Sequence, residues 1–148
     1  MRTLLLSIIC LTSLMAAGCK NTKEQADEPI ASEVLLSASE SWKGDRYSYP
    51  QGQAQMTLKR IVFQPGAKSK PHSHDQPGIA YMVKGTLKCE VQKTGQVAEF
   101  QAGDALATTF KNELHTCENI GKEEVVVFVA YAGSEGLPLS YYSNTDDH

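Results

Sequence analysis

The chain has 148 residues, 41% hydrophobic and 21% charged, with a net charge of −3. That is the composition of one ordinary globular domain, and it excludes extended disorder. Lysines and arginines are scattered and only 7% of residues are aromatic, which excludes nucleic acid as a partner: phosphate needs a clustered positive field and bases need a stacking platform.

Met1-Arg2-Thr3 opens with a positive charge, and Leu4–Ala17 is a nearly unbroken apolar run of 14 residues. A membrane-spanning helix needs about 20 such residues, so this run fits the core of a secretory signal. It ends in Ala16-Ala17-Gly18-Cys19, which resembles a bacterial lipobox and implies lipidation of Cys19 as the mature N-terminus. An ordinary signal peptide cut nearby is the alternative, and either reading takes the protein out of the cytoplasm. Residues 1–18 are thus expected as a lipoprotein signal peptide and 19–33 as a polar tether, with the bacterial cell envelope as location and lipid as the membrane contact.

From Val34 the pattern turns β-like. Candidate strands are Val34–Trp42, Ala54–Phe63, Ile79–Val83, Thr86–Gln92, Val97–Phe100, Asp104–Thr109, His115–Asn119 and Val125–Tyr131. Turn signals such as Pro65-Gly66, Pro77-Gly78, Gly85 and Gly103-Asp104 separate them. In Thr86–Gln92, Leu87, Cys89 and Val91 alternate with Lys88, Glu90 and Gln92, so one face is buried and one wet. Val125–Tyr131 is apolar on both faces and is expected to be a central strand. Ala54–Phe63 changes phase between Leu58 and Ile61, which suggests a bulge. Eight short strands with close turns predict an all-β sandwich or barrel over residues 34–140, with 141–148 as a C-terminal tail.

Three of the four histidines fall where chemistry is expected. His72 and His74, at i and i+2, point to one face of a strand, and His115 opens another strand about 40 residues later. Two imidazoles on one strand and one on a neighbour suit a divalent transition metal: Fe, Mn, Zn, Cu or Ni. His148, at the terminus, is expected to be exposed and idle.

At these residues the sequence resembles the cupin superfamily. The first cupin motif, G-x5-H-x-H-x3/4-E-x6-G, is met by Gly66, His72, His74 and Gly85, with Gly78 at the glutamate position. The second, G-x5-P-x-G-x2-H-x3-N, is met by Gly95, Gly103, His115 and Asn119, with Gln101 in place of proline and a longer gap before His115. The resemblance covers roughly Trp42–Pro138 and implies a small double-stranded β-helix, the cupin jelly-roll barrel. It also implies a metal held by His72, His74 and His115, and pairing into a homodimer. The departure at Gly78 leaves three imidazoles and no carboxylate, a neutral set that favours borderline metals over Mg or Ca. Gln76 or Asp75 is the candidate for a substitute oxygen donor.

The resemblance makes the strand after Gly85 and the strand of His115 neighbours, which brings Cys89 and Cys117 together near the pocket. They are read as two small buried residues, as a disulfide suited to an oxidising compartment, or as thiols acting as metal ligand or redox partner. Tyr81 and Tyr131, on barrel strands, are pocket or packing residues. Asp75, Glu113 and Tyr81 are the acid–base candidates near the motifs. Three functions compete: a metal-dependent enzyme on a small molecule, a non-catalytic binder of metal or small ligand, and a structural envelope lipoprotein with a vestigial site.

Overall fold

The computed structural model describes residues 30–111 and 113–143. The signal peptide, Cys19, the tether as far as residue 29, and residues 144–148 with His148 lie outside them. The described residues form nine strands: β1 (Ala54–Phe63), β2 (His72–Ser73), β3 (Gly78–Lys84), β4 (Thr86–Val91), β5 (Val97–Gln101), β6 (Ala105–Ala107), β7 (His115–Asn119), β8 (Val125–Ser134) and β9 (Tyr141–Tyr142). The described residues contain no helix. All pairings are antiparallel, in a four-stranded sheet of order β1-β8-β3-β6 and a five-stranded sheet of order β5-β4-β7-β2-β9. The chain is an all-β protein, consistent with a jelly-roll barrel.

The core lies between the sheets. Ala80 and Met82 of β3, Leu87 and Cys89 of β4, Leu106 of β6, and Val125, Val127, Val129 and Tyr131 of β8 form one buried cluster. β8 is central, as its apolar run predicts, flanked by β1 and β3. β4 alternates between fully and half-buried positions. Gly85 makes the turn between β3 and β4 at φ 81°, where a Cβ would stand 2.7 Å from Val125 Cγ2, so only glycine fits both backbone and space.

The structure departs from the predicted elements in three places. Val34–Trp42 is not a strand: only Glu40 bridges to Arg46, and Ser41–Asp45 turns tightly, Ser41 N donating to Asp45 O at 2.8 Å. β1 has no bulge and pairs with β8 in unbroken register, while the irregularity falls in β3 between Met82 and Lys84. The phase change in β1 arises because Met56 and Leu58 lie 73% and 68% exposed on the outer face, whereas Ile61 and Phe63 turn inward against the core. Lastly, the sheet continues beyond Ser140, with Tyr141–Tyr142 pairing onto β2.

Candidate metal centre

β2 is two residues long, yet it carries the site. His72 is the register partner of His115 on β7 and of Tyr142 on β9, so neighbours on both sides hold its backbone. His74 lies just past β2, and its carbonyl accepts from Lys111 N at 2.7 Å. The ring centroids are 4.3 Å apart for His72–His115, 5.0 Å for His72–His74 and 5.3 Å for His74–His115. One ligand-capable nitrogen from each ring lies within 4.8 Å of the other two.

Hydrogen bonds fix which nitrogen is free. A carbonyl can only accept, so the ring atom facing it must be an N–H. His72 Nδ1 donates to Lys70 O at 2.8 Å, and His74 Nδ1 donates to Leu139 O at 2.6 Å. In both neutral rings the lone pair is therefore on Nε2. His115 Nδ1 lies 2.8 Å from Thr109 Oγ1 and 3.3 Å from Glu113 O. Outer partners of this kind orient imidazoles in metal sites and set their tautomer.

Burial also keeps the rings neutral. Loss of solvent pushes His74 down to about 4 and His115 to about 3, reinforced by the neighbouring imidazoles, and lowers His72 as well. Neutral imidazole is the ligating form. The donor set thus fits a borderline divalent cation: three neutral nitrogens, oriented from behind, with no proton to displace near neutral pH.

The three rings open onto a cavity of about 80 Å³ between the sheets. Its walls include Trp42, Phe63, Val129 and Tyr131 together with Thr108 and Thr109. Tyr131 packs on His74 at 5.2 Å between ring centroids, and burial raises the pKa of its hydroxyl. Cys89 and Cys117 also line this cavity. They are register partners across β4 and β7 and are joined as a disulfide, which settles the three alternatives and removes both sulfurs as thiolate ligands.

Two expected pocket residues are elsewhere. Tyr81 is on the outer face of β3, 38% exposed, because the inward positions there are Ala80 and Met82. Gln76 is buried but outside the cavity lining, its amide nitrogen donating to Leu137 O at 3.2 Å and Pro138 O at 3.0 Å. It pins the segment whose next carbonyl, Leu139 O, holds His74. A Cβ at Gly133 would collide with Gln76 Oε1, so that glycine makes the room. Asp75 does not join the three-histidine group. Glu113 contributes its carbonyl to His115, while its carboxylate lies 3.9 Å from Lys43 Nζ.

The missing glutamate has a steric counterpart. A Cβ on Gly78 would meet Thr108 Oγ1 at 2.7 Å and Tyr131 Cδ1 at 2.9 Å. The space a longer side chain would need is already filled by Thr108 and Tyr131. Sequence reading missed Thr109 and Leu139 as orienting groups, since a hydroxyl six residues away and a carbonyl 65 residues away leave no local signature.

Fold and site define a small two-sheet β-barrel with three inward imidazoles on its β2–β7 side. Residues 59–131 match the family model for a cupin domain, and the chain belongs to the cupin superfamily. Among solved structures, oxalate decarboxylase from Lactobacillus farciminis, in a formate complex, is similar at 22% identity and a TM-score of 0.52. The match covers 61% of this chain and 27% of that one. The polyketide cyclase RemF from Streptomyces resistomycificus is similar at 16% identity and a TM-score of 0.51, covering 64% and 66% of the two chains. The chain therefore spans less than two thirds of either protein, and at these identities the likeness is one of fold. No curated protein sequence matches the chain.

Proposed function

We propose that the protein is an exported, lipid-anchored cupin that holds one divalent transition metal on His72, His74 and His115 and binds a small molecule beside it. The observation that carries this reading is the outward hydrogen bonding of Nδ1 on His72 and His74, which leaves both Nε2 atoms unprotonated beside His115. When bound, such a metal supplies Lewis acidity or a redox centre. The chain's own residues do the rest: Lys70 O, Leu139 O and Thr109 orient the rings, and the apolar walls limit water to the small cavity. The Cys19 lipobox and the apolar run before it support export and anchoring.

One observation favours a non-catalytic binder over an enzyme. No carboxylate lines the cavity among the described residues, and its imidazoles are the proposed metal ligands, so no side chain is left there as general base. Elemental analysis of the full-length protein, purified without a polyhistidine tag, tests the metal. It is run beside a His72→Ala/His74→Ala/His115→Ala variant whose fold is verified by near-ultraviolet circular dichroism. Near-stoichiometric metal in the parent and none in the variant is expected. No metal in either after loading and dialysis refutes the site.

A further inference from the structure

The cavity walls are aliphatic, aromatic, imidazole, threonine and disulfide, and a lysine lies on the strand beside them. Lys59 is the register partner of Val129 across β1 and β8, and directly opposed residues of an antiparallel pair share a face. Val129 lines the cavity, and so does Ile61, two residues further along β1 on the same face. On the other side of Lys59 the next inward pair is Thr57 with Tyr131, and Tyr131 is also a cavity wall. Lys59 is half-buried on an edge strand, flanked by residues that face the imidazoles.

No acidic side chain among the described residues forms an ion pair with Lys59. An inward lysine on an edge strand can serve only to block strand-to-strand aggregation. That role would leave the residue indifferent to what enters the cavity. Here, however, the lysine stands beside a neutral donor set, where a bound dication would leave positive charge uncompensated by any protein carboxylate in the cavity wall.

We propose that Lys59 is the anion-binding residue of this site and selects a small organic acid, whose carboxylate it draws to the imidazole cluster. The cavity, at about 80 Å³, holds several waters or an acid of a few carbons. This inference rests on the proposed site but names the charge of its ligand, and it can fail separately.

The test uses the full-length protein loaded with cobalt(II), with metal content measured in every sample. Acetate is titrated against its neutral isostere acetamide, and the visible spectrum of the bound cobalt is followed. Acetate is expected to change the spectrum, and Lys59→Gln or Lys59→Met to weaken its binding about tenfold or more, the scale of a hydrogen bond to a charged group. Lys59→Arg is expected to retain binding, and cobalt content is expected to be equal in all. Equal acetate affinity in the parent and Lys59→Gln, or acetamide binding as well as acetate, overturns the proposal. Failure to retain cobalt refutes the metal reading instead, and the anion is then followed by fluorescence of Trp42, the single tryptophan, which lines the cavity. Lys59-dependent acetate quenching of the metal-free protein upholds an anion site without metal. No quenching overturns the proposal.

Discussion

Replacing Gly78 by alanine probes why this barrel lacks a fourth ligand. The added Cβ would stand 2.7 Å from Thr108 Oγ1, 2.9 Å from Tyr131 Cδ1 and 3.1 Å from Thr108 Cγ2. Ordinary contacts of carbon with carbon are about 3.5–4.0 Å, so each neighbour must retreat by roughly half an ångström or more. Neither is free to do so. Tyr131 is the register partner of Gly78 on the central strand, and Thr108 N donates to Gly78 O at 2.9 Å. Overpacking of this kind costs about 1–3 kcal/mol, which lowers Tm by about 4–12 °C for a domain of this size. Thr108 Oγ1 is buried without a partner, so Thr108→Ala removes an unsatisfied hydroxyl at small net cost. In Gly78→Ala/Thr108→Ala only the Tyr131 contact remains, and the double variant is expected to recover about 1 kcal/mol relative to the sum of the singles. Gly78→Glu is expected to cost more than alanine, because its carboxylate must displace the Tyr131 ring to reach the histidines. Thermal and chemical denaturation measure all four variants. A Gly78→Ala protein as stable as the parent, or strictly additive single variants, would refute the steric account of the missing carboxylate.

Three further outcomes are expected. Thr109→Val keeps the shape beside His115 but removes the oxygen 2.8 Å from its Nδ1, so metal affinity should fall about 10–100-fold. Competition with a chelator measures it, and unchanged affinity would show that Thr109 does not orient the ring. The Cys89–Cys117 bond closes a separation of 28 residues, which in the chain-entropy account stabilises the fold by about 3–4 kcal/mol. Denaturation of Cys89→Ala/Cys117→Ala against the parent should reveal most of that loss, and a change under about 1 kcal/mol would contradict the account. Burial pushes the Tyr47 hydroxyl up to about 12 from 10.0. Because the folded value is the higher one, this contribution is complete below pH 10 and is lost as pH rises through about 12. Tyr47→Phe should be less stable at pH 8 yet flatter on the alkaline limb, and parallel alkaline limbs would sink the assignment.

Much of this molecule can be read along the chain because its signals are local. Seven of the strands follow from period-two alternation and the turns between them, and the central place of β8 follows from an apolar run on both faces. The histidine pair and the distant third histidine are legible as spacing, since i and i+2 share a strand face. Where local patterning misleads, the cause is tertiary. Met56 and Leu58 are apolar but face outward, so the alternation in β1 looks broken although its ladder is continuous. Trp42 ends a segment expected to be a strand, yet its ring is a cavity wall and its backbone belongs to a turn.

The sequence by itself determined the all-β class, the three imidazoles and the absence of a carboxylate at position 78, because each is a matter of residue type and period. Only the tertiary structure decided which nitrogen of His72 and His74 is free, that the two cysteines are joined, and that Thr108 and Tyr131 fill the space beside Gly78. The same holds for Lys59, which is one scattered lysine along the chain and shares a face with cavity residues only when β1 pairs with β8. These features depend on atoms brought together from strands tens of residues apart, and hydrogen-bond geometry and excluded volume act on distance in space, not on distance along the chain.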